Sequence, residues 1–210
     1  VDNMQGTPVV VDGVMYIGSG SGSVFAVNAA TGDLLWKYTS TFGGQTNRGV
    51  AVGGGKVFTG QTGTRLVGLD AKTGVLAWET KLAERGGTPG VPIYHGGLVY
   101  MGISGGEQGV RGQFGAYDAA TGKEVWKFNT IPGPGEFGHD TWEGDSWTRG
   151  GGPVWTHGAL DAELGHVYIP VGNPFPVTNG STRGGDNLFT VSVVALDMKT
   201  GARVWHFQTV

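Results

Sequence analysis

The chain has 210 residues, with 42 glycines, seven tryptophans, no cysteine and a formal net charge of −3. The missing cysteine excludes disulfide frameworks, thiolate metal sites and cysteine nucleophiles. A mild negative charge without a basic run argues against nucleic acid as a partner, and no apolar stretch approaches the ~18 residues of a membrane-spanning helix. Charged residues are only 15% of the chain, against a typical ~25%, while glycine and aromatic residues punctuate it throughout.

In chain order, the first elements are two hairpins. Residues 8–11 and 14–17 alternate as strands around the turn Asp12-Gly13. Residues 24–27 and 34–38 flank Asn28-Ala29-Ala30-Thr31-Gly32 and end on Trp36 and its neighbours. Asn or Asp opens such a turn by accepting from the backbone two residues on, and Gly supplies its positive φ. The same unit returns at Asp70, Thr73-Gly74 and Trp78, at Asp118, Thr121-Gly122 and Trp126, and at Asp197, Thr200-Gly201 and Trp205. Four strands recur in each unit: 49–52, 56–59, 66–69 and 76–78; then 91–94, 98–101, 113–117 and 124–126; then 153–156, 166–169, 191–196 and 203–205. Four antiparallel strands in about 40 residues is the period of a propeller blade. The pattern therefore predicts an all-β chain of about four blades, at about 7–38, 48–80, 88–128 and 152–207, in one partial propeller domain over 1–210. The Trp spacings of 42, 48 and 79 residues leave room for insertions at about 129–150 and 174–189. Long loops of this kind are more often functional than idle. The repeated tryptophans read as packing between blades.

The blades differ most between their second and third strands. The first two use short Gly-rich links, 18–22 and 60–63, whereas the third carries Glu107 and the fourth Asn173. Matching loops of adjacent blades lie at the same end of a propeller, which puts a carboxylate and an amide oxygen near one another. Both are hard donors suited to Ca²⁺ rather than Zn²⁺. On pattern alone, the two residues read first as a loop acid and a turn Asn, and as metal ligands only second. The five histidines form no i,i+4 metal pair and read as structural.

Thr7-Pro8-Val9-Val10-Val11-Asp12-Gly13-Val14-Met15-Tyr16, Asn47-Arg48-Gly49-Val50-Ala51-Val52, Gly106-Glu107-Gln108-Gly109-Val110-Arg111-Gly112, Gly172-Asn173-Pro174 and Gly185-Asp186-Asn187, together with the Asp-x-x-Thr-Gly-x-x-x-Trp repeat, carry a resemblance. The chain resembles the pyrroloquinoline quinone (PQQ)-dependent alcohol dehydrogenases, the methanol/ethanol dehydrogenase family of eight-bladed quinoproteins, and the repeat resembles that family's tryptophan docking motif. The resemblance implies that Glu107 and Asn173 hold a metal, Ca²⁺ or a lanthanide. It implies that Trp155 stacks on the planar cofactor, that Arg48 and Ser104 bond it, and that Gln5 stands near a cofactor-binding Glu of the family. It further implies oxidation of a small alcohol, electron transfer to cytochrome c or another acceptor, a periplasmic location, and further blades outside this stretch. The sequence contains no initiator Met and no signal peptide, and it reads as a piece of a longer chain. The family's catalytic Asp is expected beyond it, so the fragment alone is expected to be inactive.

Three departures accompany the resemblance. Phe42-Gly43-Gly44 stands where the family often has a vicinal Cys pair, so either Phe42 takes the other face of the cofactor or that face is open. Pro89 and Pro153 stand where Thr hydroxyls are common. The missing Cys pair keeps a sugar or polyol dehydrogenase open as an alternative, and the fold alone keeps open a non-enzymatic propeller for protein binding or assembly.

Overall fold

A computed structural model describes residues 4–210. Four antiparallel four-stranded sheets follow one another along the chain, each in simple up-and-down order. The first blade has strands Val9–Val11, Val14–Gly18, Val24–Asn28 and Leu34–Tyr38. The second has Ala51–Gly53, Lys56–Gln61, Arg65–Asp70 and Leu76–Lys81. The third has Ile93–His95, Leu98–Gly102, Gln113–Asp118 and Glu124–Asn129. The fourth has Ala159–Asp161, His166–Val171, Ser192–Asp197 and Arg203–Gln208. The first strands of the first three blades lie against one another, which sets them on the side of the propeller axis.

Alternation along the middle strands buries both faces of each inner blade. Val57 and Val67 of the second blade face Tyr16 and Ala26 of the first, while Phe58 and Leu66 face Val99, Met101 and Tyr117 of the third. Tyr100, Phe114 and Ala116 of the third then meet Val167, Ile169, Val194 and Leu196 of the fourth. Among the described residues three apolar cores thus lie between blades and none within a single sheet, so a blade is stable only against its neighbours. Burial pushes the Tyr117 phenol far above its ordinary pKa, so it remains a neutral packing group.

The repeated motif is the joint between blades. The Trp36 indole donates to the Ala71 carbonyl of the second blade at 3.0 Å, Trp78 to Ala119 of the third at 3.0 Å, and Trp126 to Met198 of the fourth at 3.0 Å. Each indole also lies flat over the turn glycine it reaches: a Cβ added to Gly74, Gly122 or Gly201 would stand 2.5 Å from the ring of Trp36, Trp78 or Trp126. Those glycines have φ of +73°, +76° and +71°, so both backbone and packing require them. The Asp side chains fix the turns. Asp118 Oδ1 accepts from the Thr121 amide at 2.8 Å and its hydroxyl at 2.7 Å, and Asp70 and Asp197 repeat the pattern. Among the described residues the end faces stay open: Trp205 is 42% exposed, and nothing lies within 4 Å of a Cβ on Gly32.

The first strands depart from the sequence expectation. In the fourth blade the strand expected at 153–156 lies instead at Ala159–Asp161. The turn after it decides this. Asp161 Oδ1 accepts from Glu163 and Leu164 amides, Gly165 takes φ +70°, and Asp161 pairs with His166. That closure leaves 153–156 outside the sheet as an extended connector. In the second blade the expected 49–52 strand splits. Asn47–Gly49 pairs in parallel with Met4–Thr7, and Ala51–Gly53 enters the blade. In the third blade the expected 91–94 strand begins only at Ile93, just after Pro92, which has no N–H to give a ladder.

The two insertions are packed together. The Trp142 indole donates to Leu188 O at 2.6 Å, the Glu143 amide to Gly184 O and the Asn187 amide to Thr141 O. Trp142 and Asn187 are buried there.

Candidate cofactor and metal site

At one end of the arc, Thr46, Arg48, Pro89, Ser104, Gly105, Glu107, Pro153 and Trp155 line a cavity of about 220 Å³. Each polar member is placed by backbone geometry. Arg48 sits in the short parallel pair made by Asn47–Gly49, and its amide donates to Pro89 O at 3.2 Å. The buried Asn47 beside it holds that pair, donating to Thr59 Oγ1 at 3.0 Å and accepting from the Gly49 amide at 2.9 Å. Ser104 is tied by a backbone bond from its amide to Gly87 O at 2.8 Å. Glu107 lies in the 3₁₀ turn Gly106–Gln108, between two left-handed glycines, Gly105 at φ 110° and Gly109 at φ 64°. Its carboxylate is exposed, and no side chain among the described residues forms an ion pair with it.

Trp155 lies on the connector before the fourth blade and is 42% exposed. The Arg48 guanidinium stands 4.9 Å from its ring centroid, a cation–π contact that fixes both side chains. Pro89 and Pro153 present rings to the cavity, and their carbonyls are occupied by the Arg48 and Gly172 amides. Asn173 follows the second strand of the fourth blade. Its carboxamide nitrogen donates to Pro174 O at 3.1 Å, which leaves Oδ1 as the donor for a cation. The same nitrogen stands 3.2 Å from where a Cβ on Gly106 would be, so the Asn173 side chain lies against the turn that carries Glu107.

The structure therefore gathers Arg48, Ser104, Glu107 and Trp155 at one cavity and seats Asn173 on the adjoining loop. Gln5 is not among the residues that line this cavity. It lines a larger, mainly aliphatic cavity of about 550 Å³ that shares Arg48 with the first. Phe42 is also elsewhere: the Arg65 guanidinium covers its ring at 4.8 Å, and it packs on the core between the first two blades. No group of three His, Cys, Asp or Glu side chains suited to a metal occurs among the described residues. A cation here would take one carboxylate and one amide oxygen from these loops, and further oxygens from its ligand or water. An open indole face, a guanidinium and two hard oxygen donors suit a planar, polyanionic group bound with a hard cation.

A family profile described as PQQ glucose/ethanol/alcohol dehydrogenase, β-propeller domain, matches residues 1–210. The chain belongs to this family. Among relatives of this quinoprotein segment, quinohemoprotein alcohol dehydrogenase ADH-IIG of Pseudomonas putida is 41% identical over 233 residues, covering 98% of this chain and 32% of that protein. The solved structure of ADHIIG from Pseudomonas putida HK5 matches with a TM-score of 0.94 at 40% identity, over 99% of this chain and 34% of that one. A europium-containing methanol dehydrogenase matches with a TM-score of 0.89 at 32% identity, over 98% of this chain and 41% of that one. The quinoprotein segment thus spans about a third of the length of the curated relatives it matches, and forms part of a larger propeller.

Sequence reasoning missed the glycine run Gly150-Gly151-Gly152, which lies directly before Pro153. Three consecutive glycines leading into a candidate stacking Trp were a visible signal. Arg111 was also passed over. Its guanidinium lies over Trp147 at 5.0 Å and bridges to Glu136 at 2.6 Å, which pins the first insertion to the Glu107 loop.

Proposed function

We propose that this segment forms the PQQ- and metal-holding part of a dehydrogenase that oxidises a primary alcohol. The observation that carries the reading is the meeting of Arg48, Ser104, Glu107 and Trp155 at one cavity in a chain of this family. Glu107 and Asn173 would hold the cation, Ca²⁺ or a lanthanide. The indole of Trp155 would form the floor under the flat cofactor. Arg48, already braced by that indole, would donate to the cofactor's oxygens, and Ser104 would add a hydroxyl. The chemistry that PQQ and its cation supply when bound is acceptance of a hydride from the alcohol carbon. The residues here orient and hold; the base that takes the alcohol proton belongs to the remainder of the protein. Cytochrome c or another acceptor would take the electrons, and a periplasmic location is part of the same proposal. The repeated Trp joints are read as the family's tryptophan docking motif.

The test uses the full-length protein, stripped of metal with a chelator and titrated with PQQ with and without Ca²⁺. Cofactor uptake is followed by its absorbance, in the parent and in Glu107→Ala and Asn173→Ala. The expected result is Ca²⁺-dependent uptake in the parent and its loss in both variants. Unchanged uptake in both variants rejects the assignment.

A further inference from the structure

The two loops that would hold the cation touch through side chains, and the glycine run hydrogen-bonds to the backbone of both. The Gly151 amide donates to Val110 O at 2.9 Å, and the Gly112 amide donates back to Gly151 O at 2.8 Å. On the other side, the Gly152 amide donates to Asn173 O at 2.8 Å, and the Phe175 amide donates to Gly150 O at 3.0 Å. Gly151 is accordingly bridged in parallel to Arg111 and antiparallel to Pro174. Residues 150–152 act as the middle strand of a miniature three-stranded strip whose outer members are the tail of the Glu107 loop and the Asn173 loop. The Thr130 hydroxyl holds the strip from behind through Gly152 O at 2.5 Å. Pro153, the next residue, wedges its ring between the same two loops. A Cβ on Gly106 would stand 2.8 Å from that ring, and one on Gly172 3.0 Å.

We propose that Gly151 is a positioning residue: through this strip it sets the separation of Glu107 and Asn173, and with it the affinity for the cation. The inference rests on the metal-site reading above. Gly151 has φ +81°, and a Cβ there would meet three backbone atoms of the Asn173 loop: Asn173 O at 2.8 Å, Phe175 N at 2.9 Å and the Pro174 carbonyl carbon at 3.0 Å. Backbone cannot swing aside as a side-chain tip can. The opposite strand is held by its own pair of hydrogen bonds, so the methyl moves Asn173 away from Glu107.

The experiment measures the Ca²⁺ dissociation constant by calorimetry on the full-length, metal-stripped protein with PQQ present, alongside urea unfolding. Gly151→Ala is compared with Gly165→Ala, a turn glycine of similar φ (+70°) with nothing within 4 Å of its Cβ. Changes in groups supporting metal ligands weaken binding by about 10- to 100-fold, and that loss is expected for Gly151→Ala, with Gly165→Ala matching the parent. Thr130→Val, which removes only the hydroxyl bond to Gly152 O, shifts the constant in the same direction and decides the matter if Gly151→Ala does not fold. Parent-like Ca²⁺ binding in folded Gly151→Ala, or in Thr130→Val when Gly151→Ala is unfolded, overturns the inference, provided that Glu107→Gln has lost binding. Parent-like binding in Glu107→Gln instead overturns the metal site itself, and this inference with it.

Discussion

Replacing Gly122 with Ala tests the joint between the second and third blades. Two costs add at this position. The left-handed φ of +76° imposes a strain of roughly 1–2 kcal/mol on any L side chain. The new methyl would also stand 2.5 Å from Trp78 Cε3 and 2.7 Å from Thr80 Oγ1. Trp78 is buried and its indole N–H is committed to Ala119 O, so the ring cannot retreat without breaking that bond. Forcing an extra carbon into such a site costs about 1–3 kcal/mol. Gly165→Ala carries the first cost alone, since nothing lies within 4 Å. Both variants gain equally from a stiffer unfolded chain, so that effect cancels in the comparison. The expected result in the full-length protein, from urea unfolding followed by tryptophan fluorescence, is that Gly122→Ala is the less stable of the two by about 1–3 kcal/mol. Equal stabilities would show that the indole does not bear on the turn.

Three further outcomes follow from the same geometry. The Thr121 hydroxyl and amide hold the Asp118 carboxyl below its ordinary value of 3.8; because the folded value is the lower one, the turn's contribution is present above about pH 4 and is lost as pH falls through the folded value. Asp118→Asn should therefore keep the turn at neutral pH, as Asn28 does in the first blade by accepting from Ala30 and Thr31 amides, and acid unfolding curves should lose that part of their pH dependence. Gly32→Ala in the full-length protein should be as costly as Gly74→Ala if a further blade's tryptophan covers the first turn, whereas a melting temperature equal to that of Gly165→Ala would leave that turn uncovered. Arg48→Lys keeps the charge but removes the plane that lies on Trp155. It should weaken PQQ retention by the ~0.5–2 kcal/mol of such contacts, and retention equal to the parent's in a dialysis assay would remove Arg48 from the site.

The blades were legible because their joint is written locally: Asp, Thr, Gly and Trp at fixed offsets specify a turn and the side chain that reaches the next one. The first strands were less legible because they are three residues long and their limits depend on the turn that follows. Asp161 and Gly165 moved the fourth blade's edge past Trp155, which leaves the indole on the connector outside the sheet. Glu107 and Asn173 stood out only as loop residues in corresponding places, and the family resemblance supplied the role proposed for them. The strip at 150–152 was hidden because a run of glycines has no pattern of burial to read. Its partners, near residues 110 and 174, are fixed by tertiary contact. Phe42 shows the converse: an aromatic residue at a suggestive position was claimed by Arg65 and a neighbouring core.

The joints also have a direction. The indoles of Trp36, Trp78 and Trp126 each reach forward, from one sheet to the turn of the sheet that follows it in sequence. During synthesis each newly made sheet therefore waits with its tryptophan uncovered until the next one leaves the ribosome, some 40 residues later in a chain growing at about 5–20 residues per second. Each arrival covers the ring of its predecessor and leaves its own exposed in turn.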